Sequence, residues 1–148
     1  MSSDQNQPSN DGVSVELVDV TKLRRHEQID LDKADALLKD FVAEPIWTVP
    51  LLVERRSNVI LDGHHRFWCA CQLGLVSVPA LLIEYCDADL TLETWRPGTP
   101  VTIDDVLTAA SSGALMAHKT SRHRLSRPLP SCSYPLSDLR SPRRGVAA

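Results

Sequence analysis

Residues 50–85 read PLLVERRSNVILDGHHRFWCACQLGLVSVPALLIEY. Two short apolar runs, Pro50–Glu54 and Asn58–Leu61, flank the polar turn Arg55-Arg56-Ser57, which predicts a pair of strands. Helical patterning then starts near Gly63 and stops at Gly74, a residue suited to a helix C-terminus. Val78–Tyr85 is a continuous apolar run of strand length, the pattern of a buried strand. At the joint between the second run and the helix stands Asp62-Gly63-His64-His65-Arg66. A core has no need of these side chains, each of which is costly to bury unpaired. A strand that turns through Asp-Gly into a helix does make an anion site: Gly63 lets a ligand approach the backbone, and the first helical amides are unpaired at the positive end of the dipole. His64, His65 and Arg66 add donors, and Arg66 can hold a phosphate through two parallel bonds. Asp62 takes the N-cap position, where it either caps the helix, holds Mg²⁺ or orients a substrate hydroxyl.

Working outward, Val13–Val18 alternates like a strand, and Asp30 is placed to cap a helix over Leu31–Ala43. Leu31, Ala34, Leu37, Leu38, Phe41 and Val42 fall at helical spacing and are expected in the core. Thr102 with Asp105 resembles a capping box opening a helix to about Ser111, and Gly113 can end it. Residues 1–12 are polar and aperiodic and are expected to be disordered. Residues 126–148 are rich in Pro, Ser and Arg and are expected to form an extended or mobile basic tail, with room for a short packed segment. The expectation is one α+β domain over residues 13–125, a small mixed β-sheet flanked by helices.

The 148 residues, 43% hydrophobic, allow one domain with a real core. The net charge of -3 points to no polyanionic partner, so no nucleic acid is expected. Its distribution is uneven: seven basic residues and one acid lie from Lys119 onward, against nine basic and eighteen acidic residues before it. That basic segment is either a solvated tail or a holder of something anionic. Cys69, Cys71, Cys86 and Cys132 fit no metal or redox spacing and read as buried free thiols. Adjacent histidines on a helix diverge by about 100°, which disfavours zinc at His64-His65. No apolar run is long enough to span a membrane, and the N-terminus MSSDQNQPSNDG has no apolar signal core, so a cytoplasmic protein is expected.

A second polar cluster, Ala117-His118-Lys119-Thr120-Ser121-Arg122-His123-Arg124, sets hydroxyls and cations side by side without apolar periodicity. Beside DGHHR it makes a second phosphate clamp, so that two donor-rich loops embrace one polyphosphate. Leu23-Arg24-Arg25-His26-Glu27-Gln28-Ile29-Asp30 contributes Glu27 as a candidate general base, with nothing local to set it apart from a surface acid. Trp47 and Trp68 read as packing residues, while Trp95, in the loop Glu93–Gly98, reads equally as packing or as a substrate wall.

The order LRRHEQID, helix, VPLLVERRSNVILDGHHRFWCACQLGL, VPALLIEY, WRPG and ALMAHKTSRHRL resembles the free L-serine kinase group of the ParB/sulfiredoxin superfamily, from about Leu17 to Leu125. The resemblance implies phosphoryl transfer from ATP or ADP to the hydroxyl of free L-serine, giving O-phospho-L-serine. By position it implies Glu27 as catalytic acid/base and Asp62 as the aspartate that assists at the hydroxyl or metal. Gly63, His64, His65 and Arg66 match the nucleotide-phosphate loop, and Trp95 a tryptophan near the amino-acid pocket. Lys119, Thr120, Ser121, Arg122 and His123 match the clamp on nucleotide phosphate, and Thr120, Arg122 and His123 also touch substrate. Mg²⁺, carried by the phosphates with Asp62 as a candidate ligand, is the implied cofactor, in a monomer or homodimer. Met116-Ala117-His118 stands where the group often has two prolines, which removes a restriction on that loop.

The main alternative is a ParB-like, nucleotide-dependent DNA-binding or regulatory module without kinase turnover. The Pro-rich residues after Leu125 are too few for the helix-turn-helix region that such proteins carry next. A sulfiredoxin-like reductase needs a cysteine where this chain has His64, which disfavours it.

Overall fold

The computed structural model describes residues 15–141. The expected disordered stretch 1–12 and the last seven residues lie outside them. The chain runs β1 (Val15–Asp19), α1 (Leu31–Ala43), β2 (Ile46–Trp47), β3 (Leu51–Glu54), β4 (Ile60–Asp62), α2 (His64–Gln72) and β5 (Ser77–Ile83). It continues through β6 (Leu90–Thr94), α3 (Ile103–Ser112), β7 (Ser121–Leu125), β8 (Tyr134–Pro135) and α4 (Leu136–Leu139). Four strands form a mixed sheet in the order β1-β5-β3-β4. β5 lies antiparallel to β1 and parallel to β3, and β4 returns antiparallel to β3 with a shift of register between Leu52 and Val53. This is the α+β architecture expected, a small mixed sheet flanked by helices.

The continuous apolar runs at 50–54 and 78–83 follow from burial on both faces of the sheet. Side chains alternate along a strand. Leu51, Val53, Ile60, Val78 and Ala80 therefore pack against Phe41, Phe67, Cys69 and Ala70 of α1 and α2 and against Trp47. Leu52, Leu61, Leu81 and Ile83 face the other way, onto Leu90 and Val106. Trp47 is fully buried and Trp68 packs half-buried on the first core, as expected.

α1 begins where the sequence places it: the Asp30 carboxylate accepts hydrogen bonds from the Asp32 and Lys33 amides. Its core face is narrower than expected. At about 100° per residue, Ala34 and Phe41 point within about 20° of each other, with Leu37 and Leu38 about 50° to either side. Ala34 and Phe41 are buried, and Leu37 and Leu38 are half-buried. Leu31 and Val42 lie about 70–90° off that direction, and they are 64% and 69% exposed rather than core. The cysteines also depart from expectation: all are free, but only Cys69 is buried, and Cys71 and Cys86 are exposed. The Thr102–Asp105 capping box forms in both directions, and Gly113 ends α3 in a left-handed conformation.

The segment after Leu125 contains the short packed piece for which the sequence left room. Arg127 pairs with Asp87 and Asp89, and β8 then pairs antiparallel with β2. Leu136 and Leu139, on one turn of helix, are fully buried in the first core. The Val76 amide donates to the Leu139 carbonyl (2.7 Å), and Arg140 Nε donates to the Leu73 carbonyl (3.2 Å). The expected boundary at residue 125 therefore does not mark an edge of the packing. Pro- and Ser-rich composition masked two leucines three residues apart. Among the described residues no helix is long and apolar enough to cross a membrane.

An extended connector, residues 24–28, joins the main sheet to the β6–β7 ribbon. Arg24 bridges Val59 and Glu27 bridges Met116, both in parallel sense. Flanking backbone bonds run from Ile60 N to Arg24 O (2.8 Å) and from Met116 N to His26 O (2.9 Å). His26 and Glu27 are thereby fixed between β4 and the 116–121 segment.

Candidate active site

Gly63 ends the strand and opens the helix at φ 107°, in the left-handed region. A β-carbon there would also stand 2.5 Å from Leu51 Cδ2, so both conformation and packing require glycine. Gly63, rather than Asp62, is the N-cap of α2, and no side chain caps the helix. The first amides of α2 thus remain available to a ligand. Asp62 is the last residue of β4, opposite Leu52. Its exposed carboxylate lines the cavity described below and has no hydrogen-bond or ion-pair partner among the described residues.

Backbone donors decide the form of both motif histidines. The His26 amide donates to His64 Nε2 (3.2 Å), and the Asp30 amide donates to His65 Nε2 (3.0 Å). A ring nitrogen that accepts carries no proton, so each neutral imidazole carries its hydrogen on Nδ1. Burial pushes the His64 imidazole well below the usual histidine range, with repulsion from His26, Arg25 and His123 adding. Burial also lowers His65, as does the neighbouring His118 ring, and the Asp30 carboxylate opposes. Both are therefore neutral donors rather than cations. The cations here are Arg66, whose guanidinium folds back near Gly63, and the residues of the second cluster.

That second cluster is a turn and a strand rather than a loop throughout. The turn at Lys119 has φ 60°, uncommon for a side-chain-bearing residue. It is held from two sides. Glu27 Oε1 accepts from the Lys119 amide (3.2 Å), and Oε2 accepts from the Thr120 and Ser121 amides (3.2 and 2.8 Å) and the Ser121 hydroxyl (2.8 Å). Arg96 donates to the His118 and Lys119 carbonyls (2.9 and 3.3 Å). These bonds fix the segment without the prolines often present in the resembling group. β7 then alternates, sending Ser121 and His123 inward while Arg122 and Arg124 are more exposed.

The alternation divides the expected clamp. Lys119 and Arg122 reach the cavity and lie over the Trp95 ring at 5.5 and 4.3 Å from its centroid. Trp95, 45% exposed, is a wall of the cavity rather than core. The Thr120 hydroxyl donates to the Ala117 carbonyl (2.7 Å). The Ser121 hydroxyl is buried against Glu27 and His26, and His123 Nε2 meets the Tyr85 hydroxyl at 2.7 Å. Burial pushes the His123 imidazole down to about 3, with the His26 ring adding and the Leu61 backbone opposing. The Thr120 and Ser121 hydroxyls and the His123 ring are thus engaged by the protein itself, although Ser121 and His123 still border the cavity.

The cavity, about 540 Å³, is lined by Glu27, Asp62 and Gly63–Arg66, together with Trp95, Lys119, Ser121, Arg122 and His123. Of the residues expected at the site, only Thr120 does not line it. Gln28 and Leu37 also line it and were not anticipated, while His118 and Arg124, from the second polar cluster, line it as well. His26 was not anticipated either. Fully buried behind the wall, it bonds through Nδ1 to the Ile60 carbonyl and through Nε2 to the Ser121 hydroxyl, both at 2.8 Å. Its position beside Glu27 was the only available signal. Among the described residues no group of three or more His, Cys, Asp or Glu is arranged to hold a metal.

No protein-family model matches the chain. Over 95 residues it is 33% identical to a protein of Staphylothermus marinus named ATP-dependent L-serine kinase, covering 62% of this chain and 38% of that one. Over 86 residues it is 35% identical to a ParB-like protein of Sulfolobus acidocaldarius, covering 55% and 41%. The chain matches only about two fifths of the length of these relatives. A solved free serine kinase in complex with AMP superposes with a TM-score of 0.77 at 15% identity, over 89% of this chain and 98% of that one. The chain has the free serine kinase fold. SbnI from Staphylococcus aureus, with a C-terminal truncation, shares this fold at a TM-score of 0.73 and 14% identity, over 88% and 91%. Sequence and fold thus agree with the group that the DGHHR and KTSRH segments resemble. Within the free serine kinase fold of this chain, those two segments stand on opposite sides of connector 24–28 and line one cavity.

Proposed function

We propose that the chain transfers a phosphoryl group from ATP or ADP to the hydroxyl of free L-serine, giving O-phospho-L-serine. One observation carries this reading: two independent donor sets, the uncapped α2 N-terminus with Arg66 and the pair Lys119 and Arg122, line the same cavity as Glu27 and Asp62. Phosphoryl transfer is mostly positioning and charge stabilisation, and fixed amides and cations supply both. The names of the L-serine kinase relatives support the acceptor, and the AMP-bound neighbour supports a nucleotide as donor.

In this reading the α2 amides, His64, His65 and Arg66 hold the nucleotide phosphates. Lys119 and Arg122 neutralise the transferred group, and Trp95 bounds the amino-acid side. Serine hydroxyl is a weak nucleophile, and a positioned carboxylate base is worth roughly 10²–10⁴-fold. Glu27 Oε1 takes a single hydrogen bond, at 3.2 Å, which leaves it capacity to accept a substrate proton. Mg²⁺ fits the site through Asp62, because such an ion is typically held by one or two carboxylates plus substrate phosphates. Bound there, it would neutralise phosphate charge.

A coupled assay of L-serine, threonine and homoserine, each with ATP and with ADP in Mg²⁺, tests the reading. O-phosphoserine is the expected product, and Glu27→Gln lowers turnover by about 10²-fold or more while nucleotide affinity stays within a few-fold. Absence of phosphoserine with either nucleotide overturns the proposal, and a Glu27→Gln variant as fast as the parent removes Glu27 as base. The ParB-like relative favours one second reading, a nucleotide-dependent DNA-binding module. Specific DNA affinity without serine-dependent turnover is the outcome that selects it.

A further inference from the structure

Three consecutive peptide units around Lys119 are held at both ends. At the N–H ends, Glu27 accepts from the amides of Lys119, Thr120 and Ser121, at 3.2, 3.2 and 2.8 Å. The carbonyls of the same three units meet the corner 94–96. Arg96 donates to the His118 and Lys119 carbonyls (2.9 and 3.3 Å), and the Trp95 amide donates to the Thr120 carbonyl (3.2 Å). Successive N–H groups that converge on one anion form a concave nest, which needs turn or left-handed backbone. Lys119 at φ 60° supplies it. Peptide dipoles set side by side in one direction repel one another. A negative group at the N–H ends and a positive group at the carbonyl ends offset that repulsion. Glu27 is the negative group, and Arg96 is the positive one.

We propose that Arg96 is a positioning residue for Glu27: it holds the carbonyl ends of the peptide units whose amides aim the Glu27 carboxylate. The proposal rests on the reading of Glu27 as base. Oε2 takes three of the four hydrogen bonds to this carboxylate from residues 119–121, and Oε1 takes one. The rotation of the carboxylate, and with it the place of the oxygen left to a substrate proton, therefore follows the three amides.

The surroundings fit this role. Arg96 is exposed, forms no ion pair among the described residues and does not line the cavity. Its charge is thus spent on the turn, and its effect reaches the chemistry only through it. The phosphate-facing cations have a separate seat, because Lys119 and Arg122 lie over the Trp95 ring. The uncapped α2 N-terminus and Arg66 belong to another element altogether. Loss of Arg96 therefore disturbs the base while the grip on nucleotide remains.

Two measurements test the role. The first is kinetics and nucleotide titration of Arg96→Ala, alone and combined with Glu27→Gln, with melting temperature confirming that each variant is folded. Misplacing a reacting group by about 1 Å can cost about 10²-fold. Arg96→Ala is expected to lower kcat about 10–100-fold and to leave nucleotide Kd within about 3-fold. In the Glu27→Gln background the same substitution is expected to cost less than about 3-fold, since the base that it positions is already gone. An unchanged kcat, a loss carried by nucleotide affinity, or an equal loss in both backgrounds overturns the proposal.

The second needs no turnover: hydrogen exchange of the Lys119, Thr120 and Ser121 amides, followed by NMR in the parent and in Arg96→Ala. Exchange faster by about 10-fold or more in the variant supports the role. Equal exchange at all three amides overturns it. If the parent makes no phosphoserine, the proposed activity fails, and the exchange result alone decides whether Arg96 holds the Glu27 array.

Discussion

Replacing Gly63 by alanine perturbs two things at once, and they can be separated. At φ 107° the backbone lies where L-residues pay roughly 1–3 kcal/mol. The added methyl also stands 2.5 Å from Leu51 Cδ2, and Leu51 is fully buried, so its side chain has little room to yield. Overpacking of this kind costs about 1–3 kcal/mol. The sum, about 2–6 kcal/mol, is a large share of the 5–15 kcal/mol that typically holds a domain together. Urea unfolding of the parent, Gly63→Ala, Leu51→Ala and the double variant measures both parts. Leu51→Ala alone is expected to cost about 2–5 kcal/mol through the cavity it leaves. The double variant is expected to be more stable than the sum of the single losses by about 1–3 kcal/mol, because the overlap is relieved while the cost of φ remains. Strict additivity, or a Gly63→Ala midpoint equal to that of the parent, would refute the packing argument. Nucleotide affinity of the folded Gly63→Ala protein is expected to fall as well, since the same atom sets the direction of the first α2 amides.

Two further outcomes are expected. Leu136→Ala and Leu139→Ala each remove a fully buried side chain from the first core, so each lowers stability by about 2–5 kcal/mol in urea unfolding; no loss would return the segment to the status of a tail. His123 is protonated near pH 6.5 when unfolded and only at about 3 when folded. Its contribution is complete above about pH 6.5 and is lost as pH falls from there towards 3, because the unfolded chain binds the extra proton. The urea midpoint should therefore drop between pH 7.5 and 4.5, and His123→Gln should flatten that slope without abolishing it, since His64 and His26 act in the same sense. An equal slope in parent and variant would assign the acid sensitivity elsewhere.

What the sequence made legible was local. The Asp30 cap, the Thr102–Asp105 box and the glycines at 63, 74 and 113 punctuate the chain as read, because caps and left-handed residues act over one turn. The buried runs of β3 and β5 were equally clear. What escaped depended on partners far along the chain. Ser121 and Thr120 look like free phosphate donors until Glu27 and Ala117 claim their hydroxyls. His26 looks like any polar neighbour of an acid until β4 and β7 close over it. Asp62 was misread as a cap because strand and helix meet one residue later than the pattern allowed. The 134–139 segment was legible only as room for a short packed piece, because its apolar content is two leucines in a polar, Pro-containing stretch.

The Glu27 carboxylate binds backbone and side chain 92 to 94 positions further on. Closing so long a loop must precede any gain from the bonds that it allows, so contacts of this kind form late in folding. The carboxylate is positioned only once residue 27 and residues 119–121 have met. Under the proposed function, chemistry at the cavity therefore waits for the finished molecule, and an incomplete one is spared from consuming nucleotide without product.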